Sequence, residues 1–254
     1  MRHLLDLFTG QMAMQGDDMH EHLVVAALAL CLAAAVQTLT GAGFGLTAAP
    51  PLLLAAPALV PDTLLWLTLA VTGYSAWADR RALDWRFARV CTCAAVPGIA
   101  AGLAVTAVVP GGFLGLAIAV AVIVASAAGL AGLRLPITTM STGIAGFTAG
   151  ALNWVAALPG PPVTLVYRAD NAATVRATLS AVFLAVSAVT LAMRYALGRA
   201  DASAALWAAE LAGAVLLGAA ISRPLGTRLS STTVSRMALA LSTAAGVMLL
   251  VRAR

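Results

Sequence analysis

Residues 23–61 contain no charged side chain, and that single stretch limits the fold more than any other part of the chain. Drawn as one straight helix rising 1.5 Å per residue it would measure roughly 58 Å, against a bilayer hydrocarbon core of about 30 Å. It is too long to cross once, so it must break and turn back. The break is expected at Gly41-Ala42-Gly43-Phe44-Gly45, where three glycines relax the backbone. Pro50, Pro51 and Pro57 are expected to interrupt the stretch again after that break.

The remaining segments follow a pattern. One span is expected at 63–78, closed by Asp79-Arg80-Arg81. Residues 90–133 are uncharged and again too long for one helix, with a turn at Val109-Pro110-Gly111-Gly112. After Arg134 the order starts over: an uncharged stretch at 135–167 carries Pro159-Gly160-Pro161-Pro162, and spans follow at 177–193, 202–222 and 237–251. A long broken segment followed by three simple ones thus occurs twice, an internal repeat in hydropathy rather than in residue identity. The organisation expected is a polar tail at 1–22, a first transmembrane repeat at 23–134 and a second at 135–254. Broken segments at matching positions of two halves point to a transporter site. Unpaired backbone groups are expensive in hydrocarbon, so a break persists where protein or water in a cavity satisfies it. The plainer reading makes each Gly/Pro cluster a tight surface loop.

Composition agrees with the class. The chain is 61% hydrophobic and 10% charged, too few polar groups to cover a soluble surface. All 15 cations are arginine, a usage that with the abundant alanine fits a bacterial, GC-rich source. The net charge of +5 does not read as a nucleic-acid surface, because the arginines sit in short breaks between apolar runs. The expected partner is a lipid bilayer. Cys31, Cys91 and Cys93 are odd in number and lack metal-ligand spacing, so neither a disulfide framework nor a metal centre is expected. His20-Glu21-His22 lies in the polar tail and reads as solvated rather than metal-binding. No Walker A pattern or other cofactor motif occurs. All three histidines are in that tail, leaving none on a span for intramembrane catalysis, so an enzyme is not expected. The tail also lacks the basic start and short apolar core of a signal peptide.

Gln37-Thr38-Leu39-Thr40-Gly41-Ala42-Gly43-Phe44-Gly45-Leu46, followed by Pro50 and a leucine run, resembles the first signature of the TauE/SafE family of sulfite and organosulfonate transporters. Gly143, Gly146 and Gly150, then Leu158-Pro159-Gly160-Pro161-Pro162-Val163 and an apolar run to Tyr167, resemble the second. Asp84-Trp85-Arg86 also matches a common feature of that family, and the resemblance runs from about 23 to 251. Phe44 interrupts what is often a run of three glycines, and Asn153-Trp154 is less typical. The resemblance implies an all-helical carrier of two inverted repeats around a central cavity, often a homodimer, moving a small anion such as sulfite or an organosulfonate. The alternatives are a ten-helix inverted-repeat metabolite exporter of another family, against which the Gly-Pro-Pro element stands, and a structural membrane subunit.

The site expected lies at the two breaks. Helices restarting near Thr47 and near Pro161 would turn free N–H groups and a positive dipole end toward the cavity, which suits an oxyanion. Gly41, Gly43 and Gly45 would let the substrate approach the backbone, with Phe44 narrowing the space and Pro50 following. In the second break Gly160, Pro161, Pro162, Val163 and Thr164 form the restarted turn, and Asn153 adds an amide. Gln37, Thr38, Thr40, Thr47 and Asn153 cluster around the breaks, where they either bind substrate or satisfy freed backbone groups. Glu210, the one carboxylate well inside a span, is the candidate for proton coupling, with a structural role as the alternative. Asp62, Arg134, Arg168, Asp170 and Arg176 fall at span ends as expected interfacial anchors.

Arginine placement does not choose between topologies. Counted as single crossings, the broken segments give eight spans, with the arginine-rich 80–89 loop, Arg194 and Arg199 in the cytoplasm. Counted as out-and-back hairpins, they give ten helical segments, with the 80–89 loop still in the cytoplasm but Arg168, Arg176 and Arg223 there in place of Arg194 and Arg199. Each puts ten of the 15 arginines inside. The inverted halves implied by the resemblance favour the second.

Overall fold

A computed structural model describes residues 24–55, 60–109, 127–133 and 135–225, with single positions at 120, 123, 124, 240 and 243. Every regular element among the described residues is helical. The first half contributes α1 (Val24–Thr40), α2 (Phe44–Ala55), α3 (Asp62–Ala78) and α4 (Trp85–Val108). The second contributes α5 (Thr139–Ala156), α6 (Gly160–Val166), α7 (Ala172–Ala196) and α8 (Ala204–Leu225). The protein is an all-α, polytopic membrane protein. The tail, Pro57, the turn at Pro110-Gly111-Gly112 and the expected span at 237–251 lie outside the described residues, apart from single positions in that span.

Helix starts are written into the sequence. Asp84 accepts from the amides of Arg86 and Phe87, satisfying two donors that the first turn of α4 would leave bare. Thr138 and Ser141 cap α5 reciprocally, and Asn171 accepts from the Ala173 amide at the head of α7. Asp201 is held below the usual carboxylate range by the amide and hydroxyl of Ser203, just ahead of α8. The prolines behave differently from expectation. Pro50 and Pro51 lie inside α2, which continues through them to Ala55. They forfeit the bonds that would run to the carbonyls of Leu46 and Thr47, a loss that packed neighbours in a membrane protein can absorb.

Two ion pairs set the directions of the helices. Asp62, at the start of α3, pairs with Arg194 near the end of α7, and Asp79, just past α3, pairs with Arg176 near the start of α7. α3 and α7, each following its half's break, are therefore antiparallel. Asp62 and Asp79 lie roughly 26 Å apart along the helix at 1.5 Å per residue, close to the thickness of the hydrocarbon core.

The breaks turn the chain back. α4 starts beside α7, where Thr178 accepts from the Asp84 amide, and ends near Trp154, whose indole donates to Thr106. α5 runs the same way and ends where Arg194 reaches the Trp154 carbonyl. Because α7 starts at the opposite end, residues 157–171, including α6, must return. The Leu135 amide bonds to the Leu165 carbonyl at 2.9 Å and ties the hairpin's two ends together. In the first half Gly41 abuts Arg176, yet α3 begins at the Arg194 end, so α2 returns as well. The two hairpins enter from opposite ends, the out-and-back arrangement of inverted repeats.

Packing then crosses the halves. Among the described residues, one apolar core joins α1, α2, α3 and α8 with Ala156, Ala157 and Leu158 at the second tip and Leu191 of α7, and a second joins α4, α5, α6 and α7. α4 of the first half thus packs with second-half helices, and α8 of the second half with first-half ones. α4 and α5 approach backbone to backbone through two Gly-x-x-x-Gly pairs, Gly98/Gly102 and Gly146/Gly150. A Cβ on Gly146 would strike the Cys91 carbonyl, one on Gly150 the Ala95 carbonyl and one on Gly98 the Phe147 carbonyl. Small residues at this spacing are how membrane helices maximise contact where lipid supplies no hydrophobic drive. The equivalent pair, α8 and α1, repeats the device once, with Gly218 against the Cys31 carbonyl.

Candidate functional site

Both hairpin tips have the same build. α1 stops at Thr40 and α2 restarts at Phe44; α5 stops at Ala156 and α6 restarts at Gly160, so each connector is three residues long. Gly41 and Ala157 open the connectors with positive φ, 82° and 55°. Their amides bond back to the carbonyls of Gln37 (2.7 Å) and Asn153 (3.0 Å). The left-handed turn is easy for Gly41 and strained for Ala157.

The two tips touch. A Cβ on Gly45 would lie 2.5 Å from the Ala157 carbonyl oxygen and 3.1 Å from Leu158 Cδ2. Gly41 seats its α-carbon against α7, where a Cβ would lie 2.6 Å from Arg176 Cα. Gly43 has φ 106°. Gly160 is less confined, with the nearest side-chain atom, Phe183 Cζ, 3.8 Å from where a Cβ would be. The contact between the tips is thus made by Gly45 against Ala157 and Leu158, while Gly41 and Gly160 face α7.

The polar groups there are unequally committed. Gln37 is buried and closes its own turn, donating to the Gly41 carbonyl and accepting from the Phe44 amide. Thr38 and Thr40 bond backward to Ala34 and Val36. Asn153 reaches outward, donating to Thr190 at 2.9 Å and facing Ser187 on α7. Thr47, in the first turn of α2, and Ser180, on α7, are buried hydroxyls without any hydrogen-bond partner among the described residues. Such groups are uncommon in a well-packed interior and mark places where something else supplies the partner.

Other candidates fall elsewhere. Phe44 is buried in the first apolar core and Val163 in the second. Pro161 and Pro162 occupy the first turn of α6, where a missing N–H is tolerated. They leave Gly160 and Val163 as the only N–H donors of its first four residues. The Thr164 side chain is exposed, with its hydroxyl on the Pro161 carbonyl. Glu210 is exposed on α8.

Sequence reading did not single out α3 and α7, whose buried hydroxyls lie between two ion pairs. Asp62 and Arg176 are not simple interfacial anchors but partners in the two ion pairs. Between those pairs α3 carries the buried hydroxyls Thr68, Thr72 and Ser75, each bonded to the carbonyl four residues back. α7 carries Ser180, Ser187 and Thr190. Hydroxyls recurring every three or four residues along an apolar span were the available signal.

A family model described as sulfite exporter TauE/SafE matches residues 26–249. No curated protein and no solved structure matches the chain.

Proposed function

The chain belongs to the sulfite exporter TauE/SafE family, a family of membrane transporters, and on that footing we propose that it is a secondary carrier for a small anion such as sulfite or an organosulfonate. The observation that carries the reading is the junction of Gly45 with Ala157, where hairpins from opposite ends meet inside the bundle. A site at that junction is reached from either side by small movements of the two cores. The amides of Gly45 and Leu46 precede the first helical bond of α2, from Thr47 to Gly43, and with the Thr47 hydroxyl they are the donors available to an oxyanion. Gly41, Gly43, Gly160 and Asn153 shape the site around them. No enzymatic step is assigned. The membrane proposed is a bacterial inner membrane, with the arginine-rich 80–89 loop in the cytoplasm, and a homodimer is the proposed assembly. Reconstituted alone in liposomes, the protein should take up sulfite or a sulfonate down an imposed gradient. Failure to move any anion from a panel of sulfite, sulfate, sulfonates and carboxylates would overturn the proposal.

A further inference from the structure

The two ion pairs bridge the same two helices but are built unequally. At one end the Arg194 guanidinium bonds both oxygens of Asp62, donates to the carbonyls of Trp154 and Arg199, and lies 5.1 Å from the centre of the Trp154 ring. Asp62 also accepts from the Asp201 amide at 2.9 Å. The side chains of Arg194 and Asp62 are 13% and 7% exposed. At the other end Arg176 holds Asp79 through Nε alone, at 2.9 Å, and the pair is 29% and 26% exposed. The terminal nitrogens of Arg176 have no acceptor among the described residues. An arginine carries five N–H donors in a planar fork that fits a carboxylate or another oxyanion with two bonds at once.

The loosely held pair adjoins the first tip. Arg176 Cα lies against Gly41 of the first tip. Ser180, whose hydroxyl is orphaned, is one turn along α7 on the same face. Thr47, the other orphan, is one turn up α2 from Gly43. At the second tip the Arg194 guanidinium is already bonded to Asp62 and two carbonyls, and Asn153 spends one N–H on Thr190. Among the described residues, the arginine with uncommitted donors is therefore the one whose backbone abuts the first tip.

We infer that Arg176 is the cation that receives the transported anion, and that Asp79 is the internal carboxylate which the anion displaces. This rests on the carrier reading and assigns its charge recognition. Displacement also unfastens α3 from α7 at that end, while Asp62–Arg194 stays closed at the other. Binding and opening at the Asp79 end are then one event, because two anions compete for one guanidinium. The ligand class is a small oxyanion able to accept two parallel N–H bonds, such as sulfite or a sulfonate head.

The test is sulfite binding to the purified full-length protein, with size-exclusion profile and thermal unfolding as folding controls. Asp79→Asn removes the competitor and should tighten binding at least threefold. Arg176→Gln should weaken it at least tenfold, and Asp62→Asn should leave it within twofold. The doubly exchanged Asp79→Arg, Arg176→Asp protein keeps an ion pair between α3 and α7 but puts a carboxylate at the tip. It should fold like the parent and fail to bind. Parent-like affinity in Arg176→Gln or in the exchanged protein overturns the inference while the carrier reading stands. Should Arg176→Gln not fold, the exchanged protein and Asp79→Asn decide alone, and parent-like affinity in either overturns it. A parent protein that binds no anion sinks the carrier reading itself.

Discussion

Gln37 and Asn153 stand at the same place in the two hairpins, each four residues before the left-handed residue that turns the chain, and each accepting that residue's amide on its carbonyl. Their side chains do opposite work. Gln37 folds inward and ties its own tip closed, whereas Asn153 ties the second tip to Thr190 of α7. One tip is self-contained and the other is anchored to a neighbouring helix.

That difference predicts unequal mutational costs. Gln37→Ala leaves the Gly41 carbonyl and the Phe44 amide unpaired, at about 1–3 kcal/mol for each buried group. Asn153→Ala leaves Thr190 still bonded to the Val186 carbonyl, so fewer groups are stranded. Thermal unfolding in detergent should show the larger loss in Gln37→Ala. A larger loss in Asn153→Ala would mean that the first tip does not depend on its glutamine.

The junction itself makes a second prediction. Any side chain at Gly45 meets a backbone carbonyl 2.5 Å away, which cannot move like a flexible side chain. Gly45→Val should cut anion uptake at least tenfold, whereas Gly160→Ala, whose new methyl meets only the edge of Phe183, should keep most of it. Equal activity in the two variants would place the transport path elsewhere.

A third prediction separates packing glycines from other glycines. Gly146→Leu should destabilise the protein by several kcal/mol, because it forces α4 and α5 apart along their closest approach. Gly143→Leu, three residues earlier, meets nothing within 4 Å and should unfold like the parent. Comparable losses in both would show that the glycine face of α5 is not what holds the two helices together.

Sidedness gives a fourth. Arg80 follows Asp79 at one end of the α3–α7 pair, while the Arg199 carbonyl is bonded to Arg194 at the other. In a background with Cys31, Cys91 and Cys93 replaced by alanine, thiols introduced at Arg80 and Arg199 should react with an impermeant label from opposite sides of the membrane. Labelling of both from one side contradicts the out-and-back hairpins.

A fifth concerns Glu210. It is exposed on α8 and belongs to neither tip, so Glu210→Gln should bind anion like the parent. If its carboxyl couples protons, the same variant should lose gradient-driven uptake and retain exchange. Uptake with unchanged pH dependence would make the residue structural.

Where the chain turns was legible in its residues, because Gly41 to Gly45 and Gly160 to Pro162 are strong punctuation inside uncharged runs. The helical interruption expected at Pro50 and Pro51 was not found, since proline inside a membrane helix weakens bonds without ending the element. The equivalence of Gln37 with Asn153, and of Gly41 with Ala157, was hidden because different residue types fill one backbone role. The ion pairs were illegible as pairs. Their partners are 132 and 97 positions apart, and only the antiparallel placement of α3 and α7 brings opposite charges to both ends. The Gly-x-x-x-Gly spacing on α4 and α5 could have been read directly, and it points to packing rather than to ligand.

The close approach of α4 and α5 has a consequence for how the chain is assembled. Gly98 and Gly102 of the first half are shaped to meet the backbone of Phe147 and Ala151, which belong to the second. A first half produced alone would therefore insert with that glycine face bare against lipid. The segment that can enter the membrane by itself is smaller than the segment that can finish folding there.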